Sequence, residues 1–183
     1  MKYRKPLAFT CAALIVCVIG YFVLSATGII QSPTFGSFGP PVKIDPDIYY
    51  PVTSVVDGDT FKASVRGKEI TVRVLGINTP ETVDPRKPVE CYGPEASAEA
   101  KRSLTDRKVE LKQNPDREAR DRYGRYLAYV YRDDGLFYNE YMIENGYARE
   151  YTYGTAYSLQ SEFKGIEKKA QKEGKGLWGK CLK

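Results

Sequence analysis

The sequence predicts an α+β domain built on a small barrel, and three observations support this prediction. Three short runs of β-branched and aromatic residues follow one another within residues 52–75, separated by tight turns. Two further alternating runs lie at residues 109–112 and 127–131. Helical segments interrupt and then follow these runs, an arrangement that is typical of α+β folds.

The first three predicted strands form a meander. Residues 52–56 and 61–65 flank an Asp-Gly-Asp turn, which is a common hairpin signal. An Arg-Gly-Lys turn then leads into residues 70–75, where valines alternate with Arg73. Because side chains alternate between the faces of a strand, Arg73 is expected to face away from those valines.

Helices are predicted at three places. Gly93-Pro94-Glu95 opens a helix over residues 93–107, because proline and a carboxylate both favour a first helical turn. A second helix is predicted over residues 137–145, ended by glycine. A third is predicted over residues 159–173, again before a glycine.

The composition excludes several classes of active site. The chain contains no histidine, which removes Ser-His triads and His-ligated zinc. Proton transfer must then fall to Asp, Glu, Lys, Tyr or metal-bound water. The formal net charge is +5, too small to argue by itself for nucleic-acid binding.

The N-terminal segment predicts export. Three positive charges lie within the first five residues, and a predominantly apolar stretch runs from Leu7 to Leu24. Residues 1–30 are interpreted as a signal anchor, with a signal peptide cleaved after Ala26 or a lipid anchor on Cys17 as alternatives. The basic flank favours a cytoplasmic start, so the rest of the chain is expected to be extracytoplasmic, either membrane-anchored or secreted.

A linker and one domain follow. Residues 31–50 are rich in Pro, Gly and Ser and predict a semi-extended spacer. Residues 51–181 are long enough for one core. Within them, Cys91 and Cys181 are candidates for a disulfide, because paired cysteines persist in oxidising compartments. Two free thiols are the alternative.

Two acidic turns are candidates for a metal site. Asp57 and Asp59 flank a glycine, and Asn78-Thr79-Pro80-Glu81 ends the third strand. If the turns meet, their oxygen-only ligands suit Ca²⁺ or Mg²⁺. Spacing alone does not bring them together, and each turn could be purely structural.

Arginines and tyrosines supply candidate contacts for a phosphate chain and its bases. Arg73 and Arg125 could grip phosphate, although an exposed ion pair or a turn cation would explain each equally well. Ten tyrosines lie between Tyr123 and Tyr157. Tyr151 and Tyr153 follow a helix beside a glycine and could stack on bases. Five others have strand or helix spacings that suit core packing: Tyr126, Tyr129, Tyr131, Tyr138 and Tyr141.

These motifs resemble the staphylococcal nuclease (thermonuclease) family. The resemblance covers residues 52–178, where the family's motifs occur in the family's order: Val-Asp-Gly-Asp-Thr, Asn-Thr-Pro-Glu-Thr, Tyr-Gly-Pro-Glu-Ala-Ser, Arg-Tyr-Gly-Arg-Tyr-Leu-Ala-Tyr and Gly-Leu-Trp. It implies an OB-fold, a five-stranded barrel with three helices. It also implies calcium-dependent hydrolysis of DNA and RNA that leaves 3′-phosphate ends.

The resemblance assigns a role to each motif residue. Asp59 and the Thr79 carbonyl are similar to the Ca²⁺ ligands, and Asp57 to a carboxylate that holds calcium-bound water. Glu81 resembles the residue that orients or deprotonates the attacking water, and Arg73 and Arg125 the pair that clamps the phosphate. The remaining matches are to contacts with the terminal phosphate and bases: Arg122, Tyr123, Tyr151 and Tyr153.

Asn78 departs from the family's pattern, which has aspartate in the calcium shell. Asparagine keeps an oxygen ligand but removes one negative charge, so weaker calcium binding is expected.

The sequence therefore predicts an exported calcium-dependent nuclease. It is expected to act as a monomer, to be tethered to the membrane and to prefer single strands. The alternative function is a non-catalytic surface OB-fold module that binds single-stranded nucleic acid. An adhesion or structural domain would leave the carboxylates and arginines unexplained.

Overall fold

The computed structural model describes residues 40–115 and 118–181. The predicted signal or anchor segment, residues 1–30, and the first part of the predicted linker, residues 31–39, lie outside these residues. Within the described ranges, no helix is both long enough and apolar enough to span a membrane.

The core of the domain is a closed five-stranded barrel, as the sequence predicts. Its strands run in the order β1-β2-β3-β6-β5. Neighbouring strands are antiparallel except β3 and β6, which are parallel. The barrel strands are β1 (Tyr49–Val55), β2 (Thr60–Val65), β3 (Lys68–Val74), β5 (Lys108–Lys112) and β6 (Tyr126–Arg132).

Buried and outward-facing residues alternate along the strands, and the buried side chains fill the barrel. In β2, Phe61, Ala63 and Val65 are fully buried, whereas the residues between them are partly exposed. In β3, Val72 and Val74 are buried and Arg73 faces the other side. A single apolar face per strand is what a small barrel needs, because its interior is filled by side chains.

In the part of the chain that the structure describes, four helices surround the barrel: α1 (Gly93–Leu104), α2 (Tyr138–Glu144), α3 (Gln160–Lys172) and α4 (Leu177–Lys180). The first three are those that the sequence predicts, although α1 ends three residues before the predicted boundary. Helix α2 packs on β6 and α3, burying Met142 and Ile143. The short α4 was not predicted, since one turn has no detectable period.

A second, two-stranded sheet was also not predicted from the sequence. Strand β4 (Ile77–Asn78) pairs with β7 (Arg149–Glu150) in antiparallel register. Two residues per strand give no periodic pattern, so only the folded chain reveals them. This sheet brings the segment after β3 beside the segment after α2.

The domain begins earlier than the predicted boundary at residue 51. Strand β1 starts at Tyr49, and Val42 and Ile44 pack against the core. The Val42 N–H donates to the Tyr126 hydroxyl at 2.5 Å. Asp45 accepts from Arg66, which lies in the turn between β2 and β3. The end of the predicted spacer is therefore part of the domain.

A disulfide joins Cys91 and Cys181, the pair that the sequence proposes, with 5.8 Å between the Cα atoms. It links residues 90 positions apart. In the chain-entropy model, closing a loop of this length stabilises the fold by about 4–5 kcal/mol.

Candidate metal and phosphate site

A cleft of about 390 Å³ opens at one end of the barrel. Every candidate metal, catalytic and substrate-binding residue proposed from the sequence lines it: Asp57, Asp59, Arg73, Asn78, Thr79, Glu81, Arg122, Tyr123, Arg125, Tyr151 and Tyr153. The two acidic turns therefore do meet.

Strand register explains this convergence. Thr60 at the start of β2 pairs with Arg73 near the end of β3, and Arg73 pairs in turn with Leu127 of β6. Asn78 of β4 pairs with Arg149 of β7. The ends of several strands are thus held close together, and the loops that follow them place their side chains on a rigid scaffold.

A buried tyrosine and a close backbone contact hold the Asp57-Gly58-Asp59 turn in place. The fully buried Tyr138 of α2 donates its hydroxyl to the Gly58 carbonyl at 2.8 Å. A Cβ atom at Gly58 would lie 2.5 Å from the Thr79 Cγ2 atom, so this close approach requires glycine. The spacing of Tyr138 predicts a place in the core, but not that its hydroxyl supports the turn.

Asp59 connects the two acidic turns. Its Oδ2 accepts hydrogen bonds from the Thr79 N–H at 2.8 Å and from the Thr79 hydroxyl at 3.0 Å. Its Oδ1 lies 3.2 Å from Nη1 of Arg73. Asp59 is buried, and a buried carboxylate needs such partners.

Asp57 is electrostatically strained. Burial first, and then the negative charge of Asp59, raise the pKa of Asp57 to about 6. A cation bound beside Asp57 would favour its ionised form and so oppose this shift.

The ligand set would have to extend beyond carboxylates. In residues 40–115 and 118–181, no three His, Cys, Asp or Glu side chains are grouped so that they could hold a metal ion. The Asp57–Asp59 pair would therefore need neutral oxygen ligands as well, which hard cations such as Ca²⁺ accept from backbone carbonyls, amides and water.

Arg73 is held in place by the strand exit. Its Nη1 donates to the Ile77 carbonyl at 2.8 Å and to the Val74 carbonyl at 3.0 Å, and its Nη2 donates to Oδ1 of Asn78 at 2.9 Å. Asn78 in turn donates weakly, at 3.3 Å, to the Thr79 carbonyl. The side chain proposed as a calcium ligand thus contacts Arg73 in this structure.

Arg125 is oriented by Asp121, whose role the sequence analysis missed. The Asp121 carboxylate accepts hydrogen bonds from the backbone N–H groups of Tyr123 and Arg125, at 2.9 and 3.0 Å. It also accepts from Nε of Arg125 at 2.7 Å. An Asp that binds the backbone two residues later is a familiar turn device, and here it also aims a guanidinium.

Glu81 is held by its own loop. Its Oε1 accepts hydrogen bonds from the N–H groups of Thr82, Val83 and Asp84, at 2.8, 2.7 and 3.0 Å. These bonds, with that from Val83 the largest cause, lower the pKa of Glu81. The carboxylate is therefore ionised at neutral pH and has a defined orientation.

Exposed tyrosines border the cleft. Tyr123, Tyr151 and Tyr153 are 60, 44 and 57% exposed. The rings of Tyr151 and Tyr153 stack with centroids 6.5 Å apart, and the guanidinium of Arg122 lies 4.8 Å from the Tyr123 ring. By contrast, Tyr126, Tyr129 and Tyr138 are buried, as their spacing predicts.

Comparisons with known proteins agree with this architecture. Residues 71–180 match the family model described as "Staphylococcal nuclease homologue". The chain is 40% identical over 165 residues to a thermonuclease of Staphylococcus hyicus, covering 90% of this chain and 95% of that protein. It is 38% identical over 143 residues to a thermonuclease of Staphylococcus intermedius, covering 76% of this chain and 83% of that one. Endonuclease YncB of Bacillus subtilis is 37% identical over 126 residues, which are 68% of this chain and 59% of that protein.

Proposed function

The chain belongs to the staphylococcal nuclease family, and on that premise we propose that it is a calcium-dependent nuclease that hydrolyses DNA and RNA and leaves 3′-phosphate ends. The observation that carries the proposal is one cleft in which a strained carboxylate pair, two anchored arginines and an ionised glutamate lie together. Nucleic-acid binding alone would not require that combination, because carboxylates repel a phosphate chain when no cation is present.

Calcium would be held by Asp59, Asp57 and the Thr79 carbonyl, with Asn78 beside them. These residues fit a hard cation, since the atoms they offer are oxygens, and burial and the charge of Asp59 raise the pKa of Asp57, an effect that a nearby cation would oppose. When bound, such an ion supplies Lewis-acid polarisation of a phosphoryl oxygen.

Arg73 and Arg125 would bind the phosphate that reacts. Each is fixed by protein contacts, Arg73 by the carbonyls of the strand exit and Arg125 by Asp121. Donors that are positioned before the reaction stabilise developing negative charge without reorganisation. In this proposal the two guanidinium groups offset the charge gained by the phosphate in the transition state.

Glu81 would orient the attacking water and accept its proton. A general base must be ionised at the working pH and must be near the water. The three amide hydrogen bonds to Oε1 supply the first condition, and the position of Glu81 in the cleft supports the second.

The tyrosine rim favours single-stranded substrates. Tyr123, Tyr151 and Tyr153 expose aromatic rings beside the proposed phosphate site. Unpaired bases stack on such rings with little sequence preference, whereas a stacked duplex would have to fray first.

Monomeric action at the cell surface is part of the proposal. An extracytoplasmic location is supported by the charge and apolar pattern of residues 1–30 and by the Cys91–Cys181 disulfide, which suits an oxidising compartment. Whether residues 1–30 remain as an anchor is tested by finding the mature protein in the membrane fraction or in the medium.

A surface module that binds single-stranded nucleic acid without cutting it is the second candidate. The observation that favours it is Asn78, which lacks the charge of aspartate and contacts Arg73. The two functions differ under chelation: EDTA abolishes cleavage by a nuclease but only alters the affinity of a binding module.

The test uses the full-length protein and 5′-labelled single-stranded DNA and RNA, titrated with Ca²⁺ against an EDTA control. We expect calcium-dependent products with 3′-phosphate ends, lost in Glu81→Ala and retained in Glu95→Gln, an exposed acidic residue of α1 outside the cleft. Tight binding without cleavage at any calcium concentration would instead establish the binding module.

A further inference from the structure

The loop that carries Glu81 is closed by Glu90. In this loop, residues 81–93, the Glu90 N–H donates to the Glu81 carbonyl at 2.9 Å, and the Glu81 N–H donates to Oε2 of Glu90 at 3.1 Å. The Gly93 N–H then donates to the Glu90 carbonyl at 3.0 Å. Glu90 thus binds both the N–H and the carbonyl of Glu81, and its own carbonyl binds Gly93, the first residue of α1.

The disulfide ties the same point to the body of the domain. Cys91, next to Glu90, is bonded to Cys181, directly after α4. That helix is firmly anchored, because Leu177 is fully buried and its N–H donates to the Gly146 carbonyl at 2.9 Å. The loop end is therefore connected covalently to the protein core.

Few core contacts hold the rest of the loop. Val83 and Val89, two of its apolar residues, are 50 and 60% exposed. The loop nevertheless fixes the Glu81 carboxylate, since Oε1 is bound by three consecutive loop amides. An exposed loop with little buried area keeps one conformation only if its ends are restrained.

We propose that Glu90 and the Cys91–Cys181 disulfide are positioning residues that set the orientation of Glu81 in the cleft. This inference rests on the proposed nuclease function. Glu90 acts through its carboxylate oxygen as a hydrogen-bond acceptor rather than through its charge. The disulfide acts by holding the loop end, in addition to any stabilisation of the whole fold. Misplacing a reacting group by about 1 Å can reduce a rate about a hundredfold, so loss of this restraint is expected to lower kcat.

A pair of substitutions separates the acceptor role of Glu90 from its charge. Glu90→Gln keeps an oxygen that can accept the Glu81 N–H, whereas Glu90→Leu removes it. With saturating Ca²⁺ and single-stranded DNA, Glu90→Leu is expected to lower kcat by about tenfold to a hundredfold with KM within about threefold of wild type. Glu90→Gln is expected to retain kcat within about threefold. If Glu90→Gln is as impaired as Glu90→Leu, the carboxylate charge is what matters and the positioning role is wrong.

The disulfide is tested in the full-length Cys91→Ser/Cys181→Ser double variant, well below its melting temperature. Ile70→Ala is the matched control: it removes buried apolar atoms of β3 outside the cleft, and we expect the two changes to lower the melting temperature by similar amounts. We expect the cysteine variant to lose kcat by about tenfold or more, and Ile70→Ala to keep it.

Hydrogen exchange gives a readout that does not depend on activity. In the cysteine variant, the amides of residues 81–90 are expected to exchange faster while those of β2 stay protected. Unchanged exchange in the loop, or faster exchange with full kcat, overturns the inference. A wild-type protein that does not cleave at all contradicts the proposed function first, and the positioning role with it.

Discussion

The two acidic sides of the cleft are built in different ways. Asp59 belongs to a tight turn that the barrel holds through Tyr138, Thr79 and Arg73. Glu81 belongs to an exposed loop, where its own backbone amides, Glu90 and a disulfide hold it. The turn therefore keeps the Asp59 carboxylate buried, where a charge is costly, whereas the loop places the Glu81 carboxylate near solvent.

Because of this difference, we expect the two sides to have different roles in binding and catalysis. A rigid pair of carboxylates with a raised pKa at Asp57 is suited to a cation, because the fold itself prevents the pair from relaxing. A carboxylate that is ionised at neutral pH and held in one orientation on a restrained loop is suited to orienting a water molecule. Substitutions on the buried side should therefore affect metal binding, and those on the loop side should affect turnover alone.

The largest effect is expected for Asp59→Ala. The change removes a proposed calcium ligand and the acceptor of two Thr79 hydrogen bonds. We expect kcat/KM to fall by about a hundredfold to a thousandfold, with calcium affinity lost in isothermal titration calorimetry. A calcium affinity equal to that of the wild type would show that Asp59 is not a calcium ligand.

Glu81→Gln, on the loop side of the cleft, should affect turnover rather than calcium binding. We expect kcat to fall by at least about a hundredfold, because the amide cannot accept the proton of the attacking water. Calcium affinity should stay within about threefold of wild type, since Glu81 is not among the proposed ligands. A loss of calcium binding equal to that in Asp59→Ala would show that the two sides are not separate.

Asp57→Asn should stabilise the metal-free protein. The folded-state pKa of Asp57, about 6, exceeds its ordinary value of 3.8, so its contribution to stability is complete below about pH 4 and is lost as pH rises through about 6. Asparagine does not ionise and escapes that loss. With EDTA at about pH 7.5, urea unfolding should show Asp57→Asn more stable than wild type by about 1–3 kcal/mol, with the difference shrinking toward pH 4. A less stable variant at both pH values would indicate that the Asp57 carboxylate supports the turn rather than straining it.

Asn78→Asp should produce the smallest change. A third carboxylate beside Asp59 adds charge to the proposed metal site, and ligand charge tunes calcium affinity. We expect calcium to bind about tenfold more tightly by calorimetry. Because Asn78 also accepts from Arg73, the new carboxylate can keep that hydrogen bond. Unchanged calcium affinity would place residue 78 outside the calcium shell.

Strong periodic patterns made the barrel predictable from the sequence. Strands β2 and β3 alternate buried and outward residues, and α1 opens with proline and glutamate. The β4–β7 sheet and α4 had no such pattern, because each element covers only about one period, too little for a repeat to be recognised. Residues 42–48, which contact the domain, also escaped prediction, since they belong to residues 31–50, whose content of Pro, Gly and Ser is typical of a spacer.

The candidate site was predictable in its residues more than in its geometry. The acidic and arginine motifs identified the side chains that line the cleft, but spacing could not decide whether the turns meet. That contact depends on the pairing of Thr60 with Arg73 and on Gly58 packing against Thr79, both of which are tertiary. Supporting groups such as Asp121, Tyr138 and Glu90 escaped because their residue types have many ordinary structural uses.

If the buried carboxylates and the arginines form one site, calcium and a phosphate chain should bind there together. The most direct test is the calcium affinity of Glu81→Gln, which should bind DNA without cutting it, measured by calorimetry with and without a single-stranded oligodeoxynucleotide. We expect the oligonucleotide to tighten calcium binding by about fivefold or more, since ligands that share a site and stabilise each other are reciprocally coupled. A calcium affinity that is the same with and without DNA would contradict it.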